Sequence, residues 1–398
     1  MMSLTEWIFW ALIFVVFYSY LGYGILLFLI IKIKRLVKGK PNPAHLTTLP
    51  EVTLFIAAYN ERAYVKAKME NTFSLNYPKE KLKIVWVTDG SDDGTPEEIQ
   101  FYKNDQTEVL HKPERGGKIG AMNRGMHYVT SPIVVFCDAN TTLGQDSIMR
   151  IVTLFADPKV GCVSGEKRVM STGTEAASAT EGLYWKYEST LKKWDAELYS
   201  VVGAAGELFA VRRELFRDVE KDTLLDDFII SLRIAMEGFT IQYDPEAYAM
   251  EHPSANVKEE LKRKVRISAG GIQSVVRLLP LLNVFKYKTL SFQYISHRVL
   301  RWTLAPIALP LIIILNLVLL FIIDNPILLA FYSLLFIGQI LFYGTALLGW
   351  YFESKGIRLK LLYVPFYFTM MNYAVFLGFK RYIKGKQSVN WERAKRAS

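Results

Sequence analysis

Two hydrophobic patterns divide the chain. Long uncharged apolar stretches occupy Trp7–Ile31, residues 302–323, residues 327–352 and Leu361–Phe379. Between the first two lie short β-branched runs separated by amphipathic segments. These predict strands over Val52–Ala57, Lys83–Thr88 and Ile133–Cys137. Helices are expected over Glu61–Phe73, from Pro96 to Tyr102, over Gly117–Tyr128 and over Asp146–Phe155. Strands alternating with helices imply an α/β, Rossmann-like domain with a mainly parallel sheet and right-handed crossovers. After Cys162 the alternation loosens, and residues 258–298 mix basic, aromatic and apolar side chains as interfacial amphipathic helices do.

The apolar stretches are long enough to cross a bilayer. Lys32, Lys34, Arg35, Lys38 and Lys40 follow the first one, whereas a cleaved signal has its basic residues in front. An uncleaved anchor with a cytoplasmic carboxyl end is therefore expected. Asp324-Asn325-Pro326 forms the turn of a two-crossing hairpin. The run from Leu361 carries Pro365 and Asn372 and leads into a basic tail. A crossing there would place that tail outside, so an in-plane or re-entrant segment, and three crossings in all, is the expectation. The layout is then an anchor with its basic flank (1–40), a cytoplasmic α/β domain (41–257), interfacial helices (258–301), two transmembrane helices (302–352), and a membrane-associated segment with the tail (353–398). Pro41-Asn42-Pro43 marks the linker out of the anchor.

Composition changes this picture little. The net charge of +10 lies beside the apolar stretches rather than on one soluble face, which argues against nucleic acid as a partner and for lipid headgroups. Cys137 and Cys162 make no zinc-type pattern and read as small buried residues of a reducing compartment.

The polar clusters at the strand ends carry the candidate chemistry. Ala57-Ala58-Tyr59-Asn60-Glu61 ends the first strand; helix capping alone would account for Asn60 and Glu61. Asp89-Gly90-Ser91-Asp92-Asp93-Gly94-Thr95 is a sharp turn that leaves Asp89 at the rim. It lacks the glutamate of an EF-hand and follows a buried strand, so a calcium loop is excluded. Arg115-Gly116-Gly117-Lys118 opens a helix without the Ser or Thr of a P-loop, leaving an anion site or a solvated basic turn. Asp138-Ala139-Asn140 closes the third strand, and Asp226-Asp227 opens an amphipathic helix where the helix dipole also favours acids. Adjacent carboxylates raise one another's pKa, which suits a general base. Arg263 and Arg266, three apart, share a helix face, whereas Lys262 and Lys264 read as a surface on lipid headgroups. His252 reads as an ordinary loop histidine.

In this order, over roughly residues 50–270, the clusters resemble the family 2 glycosyltransferases, including the cellulose, chitin, hyaluronan and poly-N-acetylglucosamine synthase group. The resemblance implies a GT-A catalytic domain and inverting, metal-dependent transfer from a nucleotide sugar. Ala58, Tyr59 and Glu61 would line the nucleoside, and Asp89 would accept the imide hydrogen of uracil, implying a UDP-linked donor. Lys118, with Ala121 and Asn123, would wall the nucleoside and phosphate pocket. Asp138 and Asn140 would hold Mg²⁺ or Mn²⁺ on the diphosphate, Asn140 standing where the family has a second Asp. Asp227, with Asp226 before it, matches the family's catalytic base. Arg263 and Arg266 stand in the family's Gln-x-x-Arg-Trp, with Arg266 on the leaving group and Ile267 in place of the Trp. Gly203, Gly206 and Glu207 lie in the segment that shapes the family's acceptor pocket.

The expected partners are thus a nucleotide sugar, a glycan or lipid-linked acceptor and membrane lipid, with an export partner left open. The few spans and the missing Trp speak against a processive synthase that extrudes its polymer. The same residues would also suit transfer to a polyprenyl phosphate, or a membrane protein that senses nucleotides without catalysis.

Overall fold

A computed structural model describes residues 2–39, 46–170, 175–254, 256–357 and 359–385, with backbone alone over 175–184. The Pro41-Asn42-Pro43 linker and the tail beyond residue 385 lie outside the described residues. The chain opens with α1 (Leu4–Lys38), a helix interrupted by a π-helical turn at Tyr18–Gly22. The α/β part follows as β1 (Val52–Ala58), α2 (Arg62–Phe73), β2 (Leu82–Asp89), α3 (Thr95–Tyr102), β3 (Thr107–Lys112), α4 (Gly117–Met126) and β4 (Ile133–Asp138). Next come β5 (Thr142–Leu143), α5 (Ser147–Leu154), β6 (Val160–Val169), α6 (Glu175–Leu198), β7 (Leu208–Arg212), α7 (Asp226–Met236) and β8 (Thr240–Glu251). α8 (Val257–Arg277) and short helical turns as far as Trp302 lead to α9 (Leu304–Ile322), α10 (Pro326–Ser354) and α11 (Lys360–Ile383).

The strands form one eight-stranded sheet in the order β3-β2-β1-β4-β7-β6-β8-β5. Its first half is parallel, as the β-branched runs predict. The second half is mixed, since β7 runs antiparallel to both β4 and β6. Alternate residues of each strand face opposite layers. Leu54, Ile56, Ile84, Trp86 and Val135 pack under α2, α3 and α5, while Phe55, Val87, Val134 and Phe136 pack against α4 and α7. Register then sets the site: Ala57 lies beside Val87 on one side and Asp138 on the other, and Cys137 lies opposite Leu208. The ends of β1, β2 and β4 and the start of β7 therefore share one edge, where chain order reverses across the sheet and a crevice opens.

α1 does more than anchor. At 1.5 Å per residue its length is about 52 Å, well beyond a bilayer core of about 30 Å. Its second half packs on α6, burying Tyr23, Leu27 and Ile31 against Leu191. Lys34 donates to the carbonyls of Glu197 and Leu198 at the end of α6, and Arg35 grips the Glu197 carboxylate through two bonds of 2.6 Å. Two of the basic residues expected at the lipid surface are thus spent on the protein. Beside Tyr23, His297 is fully buried, its Nδ1 2.6 Å from Asp195 and its Nε2 3.1 Å from Glu188.

Four helices among the described residues are long and apolar enough to cross a membrane: α1, α9, α10 and α11. α11 is one continuous helix, with Pro365 in its first turns. It packs along α8, with Tyr363 and Tyr367 beside Leu261 and Lys264, and with Gly378 against Ser268. Lys264 is accordingly buried, 3.5 Å from Glu260 and 5.9 Å from the rings of Trp185 and Tyr367. The expectation that it faces headgroups is corrected, because α11 covers that face of α8. Lys262 is exposed and pairs with Glu259.

Candidate active site

The crevice at the strand edge is a cleft of about 320 Å³, open mouth included, lined by Ala57, Ala58, Tyr59, Asp89, Arg115, Gly117, Lys118 and Ala121. Arg115, which the sequence did not single out as a ligand, lays its guanidinium 3.8 Å over the Tyr59 ring. Asp89 is buried rather than left at the rim: its Oδ2 accepts from the amides of Gly116 and Gly117 at 2.6 and 2.7 Å. It therefore holds the glycine loop against β2 while lining the cleft. The capping expectation also fails, since Asn60 adopts φ 54° and bonds both the side chain and the amide of Asp92. Glu61 is buried, does not line the cleft, and gives its amide to Thr95.

Beyond Asp89 the charged groups converge. The Lys118 ammonium lies 3.1 Å from Asp138 Oδ1 and 3.5 Å from Asp226 Oδ2. Burial acts to lower its pKa, but Asp138, Asp226 and Asp227 outweigh that and raise it, so the ammonium stays charged. Asp227, from the same helical turn as Asp226, faces another way. A Cβ on Gly206 would stand 3.1 Å from its Oδ2, so the bare glycine backbone walls the carboxylate. Burial, then the charge of Asp226, push Asp227 up to about 7 from 3.8; Lys118 opposes and Glu207 adds to the rise. Gly203, at φ 84°, lies under Phe228, where a Cβ would stand 2.2 Å from a ring carbon.

Glu207 bonds Lys167 at 2.6 Å, and Lys167 also pairs with buried Glu251. Burial acts to raise Glu207, yet Lys167 and Arg263 hold it well below the usual carboxylate range. Neither Lys167 nor Glu251 stands out in the sequence. On α8, Arg263 grips Glu260 through two bonds of 3.0 Å. Arg266 is held below its usual pKa by burial and by Arg263, while Asp138, Asp226 and Glu207 pull the other way. It therefore lies within the field of all three carboxylates. Cys137 and Cys162 are buried free thiols that burial pushes up and leaves inert.

A divalent ion fits this donor set. Magnesium is commonly held by one or two carboxylates together with substrate phosphates. Asp138 ends β4 and meets the cleft-lining Lys118, Asn140 follows two residues beyond the strand, and Asp226 Oδ2 is buried without a hydrogen bond. Among the described residues no group of three or more acidic, His or Cys side chains forms a complete cage, so substrate oxygens would finish the coordination.

A half-parallel sheet with carboxylates gathered at its crevice, joined to membrane-length helices, agrees with a GT-A type sugar transferase, the class that the family match and the fold likeness show. The chain belongs to the glycosyltransferase-like family 2, whose profile matches residues 50–270. It is similar to the poly-β-1,6-N-acetyl-D-glucosamine synthases of Staphylococcus aureus, at 26% identity over 62% of this chain and 60% of theirs. The Staphylococcus epidermidis enzyme of that name is 24% identical over 57% of this chain and 56% of its own. The chain thus spans about 60% of the length of the curated relatives it matches. A mannosyltransferase of Pyrobaculum calidifontis, solved with GDP-Man and Mn²⁺, shares the fold at TM-score 0.73 and 23% identity, over 96% of this chain and all of that one.

Proposed function

We propose that this family 2 glycosyltransferase moves a sugar, with inversion, from a uridine diphosphate donor to a hydroxyl of a glycan or lipid-linked acceptor at the cytoplasmic membrane face. The carrying observation is Asp227, a carboxylate pushed up to about 7, walled by Gly206 and within the field of Asp226 and of Lys118 at the cleft. A base of that pKa takes a proton from a hydroxyl at neutral pH as the oxygen attacks the anomeric carbon. The nucleoside would lie against Ala58, Tyr59 and Asp89, with Arg115 over Tyr59. Lys118 and Arg266 would face the diphosphate; Arg263, tied to Glu260, would orient α8 instead. Asp138 and Asn140 would hold Mg²⁺ or Mn²⁺, which neutralises charge on the departing diphosphate. Gly206 and Glu207 would shape the acceptor side, with Glu207 fixed by Lys167.

The positive run after Ile31 supports a cytoplasmic catalytic half, and the packing of α11 on α8 supports three crossings with α11 as an interfacial helix. The similarity to polymer synthases favours a second reading, processive synthesis, and makes N-acetylglucosamine the first sugar to try. Detergent-solubilised protein, assayed for UDP release across UDP-sugars with Mg²⁺ or Mn²⁺, tests the proposal. Release from one donor, lost in Asp227→Asn, is expected; no uridine nucleotide binding would refute it. A ladder of product lengths instead of one discrete product would select the processive reading.

A further inference from the structure

Asn140 leaves the end of β4 one negative charge short of an Asp-x-Asp pair, and the tertiary structure brings another carboxylate to the place. Asp226 arrives from α7, and the half-buried Lys118 ammonium bridges it to Asp138 at 3.5 and 3.1 Å. Asp226 is 8% exposed, and its Oδ2 accepts no hydrogen bond; the Lys118 ammonium at 3.5 Å and the field of Arg266 offset its charge. Asp227 in the same turn faces Gly206, which separates the two neighbours in role.

We propose that Asp138 and Asp226 together form the cation seat of the donor site, and that Lys118 fills it until a divalent ion displaces the ammonium. A lysine ammonium is a compact point charge on a flexible stem and can leave without breaking the fold. Magnesium-sized ions need oxygens at about 2.1 Å, so exchange requires the carboxylates to close by about 1 Å, within the reach of side-chain rotation. The released ammonium then faces the diphosphate that accompanies the ion. The positive charge between the two carboxylates rises from one to two in the exchange, which neutralises both of them, and Asp226 supplies the second negative ligand that Asn140 does not.

This inference rests on the donor-site reading above, and one set of titrations separates the two. Binding of Mn²⁺ to the purified full chain is followed by the electron paramagnetic resonance signal of the free ion, first alone and then with UDP. Lys118→Met should tighten Mn²⁺ binding without nucleotide by about tenfold or more, because the competing charge is gone. Adding Asp226→Asn to that variant should abolish the gain. If Lys118→Met does not fold, Asp226→Asn alone should weaken Mn²⁺ binding in the presence of UDP by about tenfold. Unchanged Mn²⁺ affinity in Lys118→Met overturns the inference. A gain that survives Asp226→Asn also overturns it, leaving the ion on Asp138 and Asn140. Failure of UDP to bind the wild type sinks the donor reading instead, while the nucleotide-free titrations still decide the seat.

Discussion

Asp227→Asn should stabilise the protein while removing its activity. Burial and the charge of Asp226 push the carboxyl up to about 7 in the folded chain from 3.8, so between those values the folded state holds a proton that the unfolded state has lost. Stability from this group is therefore complete below about pH 4 and declines as pH rises toward 7. Each unit corresponds to about 1.4 kcal/mol, so the full shift sets an upper bound of about 4 kcal/mol, reduced by the coupling to Asp226 and Glu207. Asn replaces the carboxyl with a neutral group of equal size and removes that decline. Thermal melts of wild type and variant at pH 5 and pH 8, alongside UDP release, are the assay. The Tm advantage of Asp227→Asn should grow by several degrees from pH 5 to pH 8, at about 2–4 °C per kcal/mol for a domain of this size. An advantage equal at both pH values, or one that shrinks with pH, refutes the placement of Asp227 as a desolvated base.

Further outcomes follow from the same geometry. The acid limb of kcat should lie near pH 7 and move to lower pH in Glu207→Gln, whose negative charge helps to raise Asp227; an upward move would contradict the arrangement. Gly206→Ala puts a methyl 3.1 Å from the Asp227 carboxylate, so kcat should fall at least about tenfold with the donor KM little changed, in steady-state kinetics. Asp89→Asn weakens two charge-assisted bonds to the Gly116–Gly117 loop; at about 1.5–3 kcal/mol for such bonds, UDP affinity by calorimetry should drop about 10- to 100-fold. Arg266→Gln should raise the donor KM, whereas Arg263→Gln should chiefly lower the melting temperature, since it strips the partner from Glu260.

Much of the catalytic half is legible along the chain because the relevant interactions are local. The runs at β1, β2 and β4 are buried on both faces and so read as continuous apolar segments, and the polar residues that follow them must lie at the strand ends. Later strands were not legible. β6 and β8 mix Ser, Glu, Lys, Arg and Tyr with apolar residues, because near the cleft they carry charged pairs such as Lys167 with Glu251. The antiparallel β7 is short and follows a glycine-rich turn, so no periodicity announces it.

By itself, then, the sequence determined the parallel half-sheet, the membrane-length helices and the order of the acidic and basic clusters, since periodicity and turn chemistry act over a few residues. Partnerships were decided only in three dimensions. Asp226 and Asp227 are neighbours in the chain, yet one meets Lys118 and the other Gly206, because successive side chains at a helix start diverge by about 100°. Arg263 and Arg266 share a helix face, yet Glu260 claims the first. Lys264 looks like a headgroup contact until α11, a hundred residues later, folds over it. Charge and burial depend on what long-range packing places within a few ångströms, and that is the information a linear pattern does not carry.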